Sequence, residues 1–164
     1  MIPQQLYDIF IGFEERSAEL YLNMSVKFAD SPEMSWFWVE MAMEEKQHAG
    51  MLQYCKETGM FASNLPTTEQ IQRLAAMFKT LHGLVVSPGF DLDQAFDVAI
   101  TIESSEINEI YDNLTSNLSG PWYVIRKKIE LSICNHFEKL WHAAERFSAS
   151  EAVRTRLDQL RQAA

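Results

Sequence analysis

The sequence predicts an all-α protein, a bundle of four long helices. Apolar residues recur at steps of three and four over long stretches, which is the period of an amphipathic helix. Glycine and proline are scarce, at six and five residues, and no stretch alternates with the period of two that indicates a strand. The 164 residues are 47% hydrophobic, enough for a sizeable core. We therefore predict one domain over residues 1–164.

Helix boundaries follow from capping residues and helix breakers. Ser31 precedes Pro32, which favours an N-cap followed by the first helical position, and Gly59 is suited to the end of that helix. Thr67 and Asp91 can cap the next two helices. The predicted long helices span 3–29, 32–58, 91–117 and 121–147, and shorter ones span 67–82 and 151–162. The helix 67–82 thus belongs to a long crossover between two helical hairpins.

Charge and cysteine content exclude several classes of protein. The net charge of −9 argues against nucleic-acid binding, and the scattered Lys and Arg residues argue against binding to an anionic membrane. Cys55 and Cys134 form no CxxC pair, so we expect reduced thiols and neither a zinc ribbon nor a rubredoxin-type iron site. We recognise no signal peptide and no stretch of 18 apolar residues. The expected location is cytoplasmic.

The second predicted helix carries a carboxylate and an imidazole on its apolar face. Glu45 and His48 occupy an apolar stripe that runs at helical spacing from Met34 to Cys55. Burying such groups is unfavourable unless a partner compensates them. A metal ion is the obvious candidate for that partner.

Two other helices also direct acidic residues toward the common core. Glu14 lies on the apolar stripe of the first helix, and Glu103 and Glu106 lie one turn apart on the stripe of the third. Two adjacent buried carboxylates repel each other unless a cation lies between them. Any one of these glutamates could be a residue at a helix edge, but three helices placing acids near their middle predict a metal site. Carboxylates with one or two imidazoles suit iron or manganese better than softer metals.

These residues resemble the di-iron domain of rubrerythrins, in the ferritin-like superfamily. The segment EKQHA at residues 45–49 is similar to the second-helix signature of that family, and the resemblance covers residues 1–147. It implies a ferritin-like bundle with two iron ions, although manganese or zinc could replace iron. Glutamate–tyrosine pairs on the first and third helices also match, at Glu14 with Tyr21 and at Glu103 and Glu106 with Tyr111.

The fourth predicted helix departs from the family pattern, which expects a second Glu-x-x-His. Glu138 and His142 are four residues apart and look like that pair with one residue inserted, but they lie opposite the apolar face, as expected of a solvated pair. His136 lies on the apolar face and is the best candidate ligand from this helix. Its alternative is an ordinary core histidine with a hydrogen-bond partner. The predicted metal ligands are Glu14, Glu45, His48, Glu103, Glu106 and His136.

The resemblance implies an oxidoreductase that reduces hydrogen peroxide or dioxygen, with electrons from a separate donor protein. Tyr21 and Tyr111 would then act in catalysis, as partners of the metal-binding glutamates. The altered fourth helix leaves open a metal-binding or storage protein without turnover, and a metal-free interaction bundle is a third alternative. Aromatic residues outside the core stripe, including Trp36, predict a homodimer.

Overall fold

The structure is a computed structural model that describes residues 2–105, 107–117, 120–121, 123–124, 127 and 136–163. Over this part of the chain the protein is all-helical, without a strand, which confirms the predicted class. The helices are α1 (Pro3–Lys27), α2 (Pro32–Thr58), α3 (Thr68–Val85), α4 (Leu92–Glu103), α5 (Ile107–Leu114), α6 (His136–Arg146) and α7 (Glu151–Ala163).

Helices α1 and α2 form a hairpin whose ends follow the predicted signals. Ser31 has the extended backbone of an N-cap, although its hydroxyl makes no capping hydrogen bond, and Pro32 is the first residue of α2. Gly59 ends α2 in the left-handed conformation, with φ of 69°. This conformation is one that glycine adopts without a steric penalty. The two helices pack along their length, and their interface is the most extensive between any two helices of the described structure.

Both predicted caps of the middle helices are present. The Thr67 and Asp91 side chains accept hydrogen bonds from the backbone N–H groups of Gln70 and Gln94, at 3.2 and 2.9 Å. Helix α3 extends beyond its predicted end at residue 82 as far as Val85. Val85 is fully buried and continues the inner face of this helix, so packing favours the additional turn.

The prediction of one continuous helix over 91–117 is wrong, because α4 ends at Glu103 and α5 begins at Ile107. The hydroxyls of Ser104 and Ser105 donate to the carbonyls of Ile100 and Ile102, at 2.6 and 2.7 Å. Such local bonds compete with the helical ladder. These bonds favour the end of α4, so the helix break lies next to Glu103, one of the candidate ligands.

The remaining helices pack around the α1–α2 hairpin and each other. Helix α3 packs on α1, α5 contacts α2, and α4 lies against α6 and α7. Cys55 is a buried thiol, whereas Cys134 lies outside the described residues. Among the helices of the described structure, none has the length and apolar character needed to cross a membrane.

Candidate metal centre

Three of the predicted ligands meet between α1 and α2. Glu14, Glu45 and His48 are 1%, 3% and 2% exposed. Nδ1 of His48 lies 3.3 Å from Oε2 of Glu45 and 3.8 Å from Oε2 of Glu14. One ligand atom from each residue falls within 4.8 Å of the others, a spacing at which the three can hold a metal ion.

A second group combines Glu45 with residues of α4 and α6. Nδ1 of His136 lies 2.7 Å from Oε2 of Glu103, and both residues are almost completely buried. Glu45, Glu103 and His136 again offer ligand atoms within 4.8 Å of one another. Glu45 therefore belongs to both groups.

The two predicted tyrosines lie beside these groups. The hydroxyl of Tyr21 donates a hydrogen bond of 2.7 Å to Oε1 of Glu103. The ring of Tyr111 lies against the imidazole of His48, with 4.8 Å between the ring centroids. Tyr21 thus holds the carboxylate of the candidate ligand Glu103, and Tyr111 covers one side of the imidazole of His48.

The helix break supplies a further contact to Glu103. The side-chain amide of Asn108, in the first turn of α5, donates to the backbone carbonyl of Glu103 at 3.0 Å and to its Oε2 at 3.4 Å. A carboxylate at a helix C-terminus is disfavoured by the helix dipole. The donors from Asn108, Tyr21 and His136 offset that effect.

Burial and proximity change the proton affinity of the cluster strongly. Burial raises the pKa of Glu45 to about 8, although His48 acts to lower it. Burial alone would lower the pKa of His136, but the charge of Glu103, the hydrogen bond to Glu103 and the close contact with the Glu44 carboxylate raise it to about 10. The carboxylates of Glu14 and Glu45 likewise raise the pKa of His48 well above its usual value, against the effect of its burial. Protons thus compensate part of the buried negative charge when no cation does.

Two buried oxygen atoms near the first group are unsatisfied. Oε1 of Glu14 and Oγ of Ser17 have no hydrogen-bond partner among the described residues, and each residue is at most 1% exposed. A buried carboxylate oxygen without a partner is unfavourable. A cation bound by Glu14, Glu45 and His48 would satisfy the oxygen of Glu14, so the donor set fits a metal ion.

The structure thus brings together five of the six predicted ligands, and Glu106 lies outside the described residues. Glu138 and His142 lie on the surface, with side chains 45% and 72% exposed and 3.8 Å between Oε2 and Nε2. Oε1 of Glu138 also pairs with Nε of Arg161 at 2.8 Å. Because both side chains are substantially exposed, whereas the cluster is buried, they offer no alternative to His136 as a ligand.

Sequence reasoning missed Glu44, which contacts the far edge of His136. Oε2 of Glu44 lies 2.6 Å from Nε2 of His136, and its other oxygen pairs with Lys139. These contacts lower the pKa of Glu44 to about 2, against the effect of its burial. The helical pattern gave no signal for Glu44 because it lies outside the apolar stripe of α2.

A surface groove of about 580 Å³ runs between α2 and α6 and is bordered by Glu44 and Lys139. Trp36 and Met43, 57% and 54% exposed, lie along it. Glu44, at the border of this groove, contacts His136, and His136 in turn contacts Glu103. The buried cluster is therefore close to the surface on this side.

Comparison of the chain with protein-family models, with curated proteins and with solved structures finds no match.

Proposed function

We propose that this protein is a dinuclear metal-carboxylate oxidoreductase that reduces hydrogen peroxide or dioxygen. The observation that carries the proposal is the sharing of Glu45 between two buried groups of potential ligands. A carboxylate shared by two groups, each with its own imidazole, would suit two cations. The resemblance of the sequence to rubrerythrins supports the same assignment, and it underlies the proposal of a ferritin-like bundle.

Iron is the proposed metal. The candidate ligands are carboxylate oxygens and imidazole nitrogens, a set that suits iron and manganese and lacks the thiolates typical of structural zinc sites. Glu14, Glu45 and His48 would hold one ion, and Glu45, Glu103 and His136 would hold the other. Two ferrous ions held there would supply two electrons, which with two protons would reduce hydrogen peroxide to two waters or dioxygen to hydrogen peroxide, and the donor protein would return the iron to the ferrous state.

The chain's own residues would position and protect this chemistry. Tyr21 holds Glu103 through its hydroxyl, at 2.7 Å, and is the group best placed to donate a proton beside that ligand. Burial and the charge of Glu103 raise the pKa of Tyr21 well above its usual value, so the hydroxyl keeps its proton at neutral pH. Phe10, Trp38 and Phe96 are fully buried core residues of three helices, and they exclude water from the interior.

Electrons would come from a donor protein outside these 164 residues, because the sequence contains no CxxC pair for an iron–sulfur centre. Anaerobic loading with Fe²⁺ followed by a stopped-flow pulse of hydrogen peroxide tests the proposal. We expect two irons per chain and rapid oxidation of both. Glu45→Ala should abolish the fast phase, and Glu138→Gln, at a partly exposed position outside both groups, should preserve it. Slow oxidation of the loaded wild type would exclude the peroxidase function.

A metal-binding or storage function without turnover is the second candidate. The specific observation in its favour is the sequence before α6, which has no glutamate three residues before His136 and so lacks the second Glu-x-x-His of the family pattern. A site with fewer carboxylates would bind the second ion less tightly. One bound ion per chain, without fast oxidation by peroxide, would favour this candidate.

We also propose a homodimer, formed through exposed apolar residues of α1 and α2. Val26 and Trp36 are 74% and 57% exposed, and Leu22 and Met43 are 43% and 54% exposed. Large exposed apolar side chains on neighbouring helices favour association. Sedimentation equilibrium should show a dimer for the wild type and a shift toward monomer for Trp36→Glu. A monomeric wild type at micromolar concentration would contradict the proposal.

A further inference from the structure

His136 is held at both edges of its ring by carboxylates from different helices. Nδ1 lies 2.7 Å from Oε2 of Glu103, and Nε2 lies 2.6 Å from Oε2 of Glu44. The two nitrogens of an imidazole point away from each other, so the two carboxylates occupy opposite sides of the ring. Nδ1 therefore faces the group formed with Glu103 and Glu45, and Nε2 faces Glu44.

Glu44 is itself fixed in place by α6. One of its oxygens pairs with Lys139, which follows His136 by one helical turn, and its side chain is only 15% exposed. The 2.6 Å contact is not aligned as a hydrogen bond, because neither Nε2 nor Oε2 has a partner of suitable geometry among the described residues.

We propose that Glu44 is a positioning residue for the metal centre: it accepts the Nε2 proton of His136 and so directs the Nδ1 lone pair at a metal ion beside Glu103 and Glu45. This inference rests on the proposed function. Histidine ligands commonly donate their second N–H to a carboxylate, which fixes the tautomer and the orientation of the ring. Here that carboxylate comes from α2, and the histidine comes from α6.

The contribution of Glu44 is confined to one of the two metal positions. His48 is the histidine of the other position, and its Nδ1 faces Glu14 and Glu45. Glu44 contacts only His136 and Lys139 among the ion pairs of the described residues. Removal of its carboxylate should therefore weaken the position formed by Glu45, Glu103 and His136 and leave the other position intact.

A purely structural role for Glu44 makes a different prediction. An ion pair between α2 and α6 would stabilise the fold, and its loss would lower the stability of the metal-free protein without changing how His136 binds an ion. The two roles are separated by measuring metal affinity and histidine ligation in protein that remains folded.

Titration with Co²⁺ of the wild type, Glu44→Gln, Glu44→Leu and Glu40→Gln tests the affinity. Glu40 is exposed, lies one turn before Glu44 and borders the same groove, so Glu40→Gln is the matched control. Glu44→Leu should weaken the second ion by about 10- to 100-fold and leave the first unchanged. Glu44→Gln should have a smaller effect, because its amide oxygen can still accept the Nε2 proton, and Glu40→Gln should bind like the wild type.

A spectroscopic signature completes the test. In the Zn²⁺-loaded wild type with ¹⁵N-labelled histidine, NMR should show Nδ1 of His136 bound to metal and Nε2 protonated. Ligation through Nε2 would overturn the inference, as would two-ion binding by Glu44→Leu with the affinities of the wild type. Either outcome, in a wild type that binds two ions, would overturn this inference and leave the proposed function in place. A wild type that binds no ion would overturn the proposed function as well.

Discussion

The protonation of His136 links the metal-free cluster to the stability of the protein. The charge of Glu103 raises the pKa of this imidazole to about 10 in the folded state, overcoming the effect of burial, whereas an unfolded histidine has a pKa of about 6.5. Between these values the folded protein holds a proton that the unfolded chain has lost. The resulting stabilisation is complete below about pH 6.5 and is lost as the pH rises through the folded value.

We therefore expect the free energy of unfolding of the metal-free protein to fall between pH 7 and pH 9.5. The slope attributable to His136 is at most about 1.4 kcal/mol per pH unit. The raised pKa of Glu45, about 8, adds a fall of the same sign up to that pH. Urea unfolding in the presence of a chelator measures the effect, and His136→Gln should reduce the slope. His142→Gln, at an exposed position, is the control, and a stability that rises over this range would contradict the assignment.

The hydroxyl of Tyr21 stabilises the ionised carboxylate of Glu103 by a hydrogen bond. Tyr21→Phe removes a hydrogen bond to a buried carboxylate, which should lower the free energy of unfolding by about 1.5–3 kcal/mol. Urea unfolding of the metal-free protein provides the measurement. Tyr123→Phe makes the same chemical change at a residue 47% exposed, and it should have an effect within about 0.5 kcal/mol. If Tyr21→Phe lowers the free energy of unfolding no more than Tyr123→Phe does, the hydrogen bond from Tyr21 contributes no stability.

At the scale of the helices, Gly59 at the end of α2 and Gly83 within α3 provide a test of backbone energetics. Gly59 has a positive φ of 69°, whereas Gly83 lies within α3, and an added Cβ would meet no atom within 4 Å at either position. Gly59→Ala should destabilise the protein by about 1 kcal/mol, because an L residue is strained in that conformation. Gly83→Ala should stabilise it by about 0.5–1 kcal/mol, because alanine favours a helix. Thermal unfolding should shift in opposite directions, and a shift of the same sign in both would contradict this account.

The helix break after Glu103 shows where element prediction fails. The apolar stripe continues from Phe96 to Ile110 across the break, and periodicity therefore indicates one helix over 91–117. Ser104 and Ser105 are neutral in that pattern, and only their side-chain bonds to the preceding turn show that the helix ends. In contrast, the caps at Thr67 and Asp91 were predictable, because each acts on a backbone group only three residues away.

For the whole molecule, bound metal should raise the thermal stability. Two ions that bind the folded state alone would each stabilise it by about 2.7 kcal/mol at a free concentration of 100 times Kd. This corresponds to an increase in Tm of about 5–10 °C per ion for a chain of this size. Differential scanning calorimetry with Co²⁺ and then with excess chelator measures the change. Glu45→Ala should lose most of it because Glu45 belongs to both groups, and Glu138→Gln should retain it. A Tm that chelator and Co²⁺ leave unchanged would favour a metal-free bundle.

The sequence alone determined the helical class, most helix ends and the inward face of each helix, because these depend on interactions within a few residues. It therefore predicted that Glu14, Glu45, His48 and Glu103 face the core, where the structure places them. The sequence also predicted His136 as the ligand from the fourth helix, whereas the tertiary structure alone decided which of these groups meet and that Glu44 contacts His136. Glu44 and Glu45 are neighbours in sequence but point about 100° apart around α2. The position of α6 beside α2 determines that Glu44 contacts the Nε2 side of His136, and no local sequence pattern encodes that position.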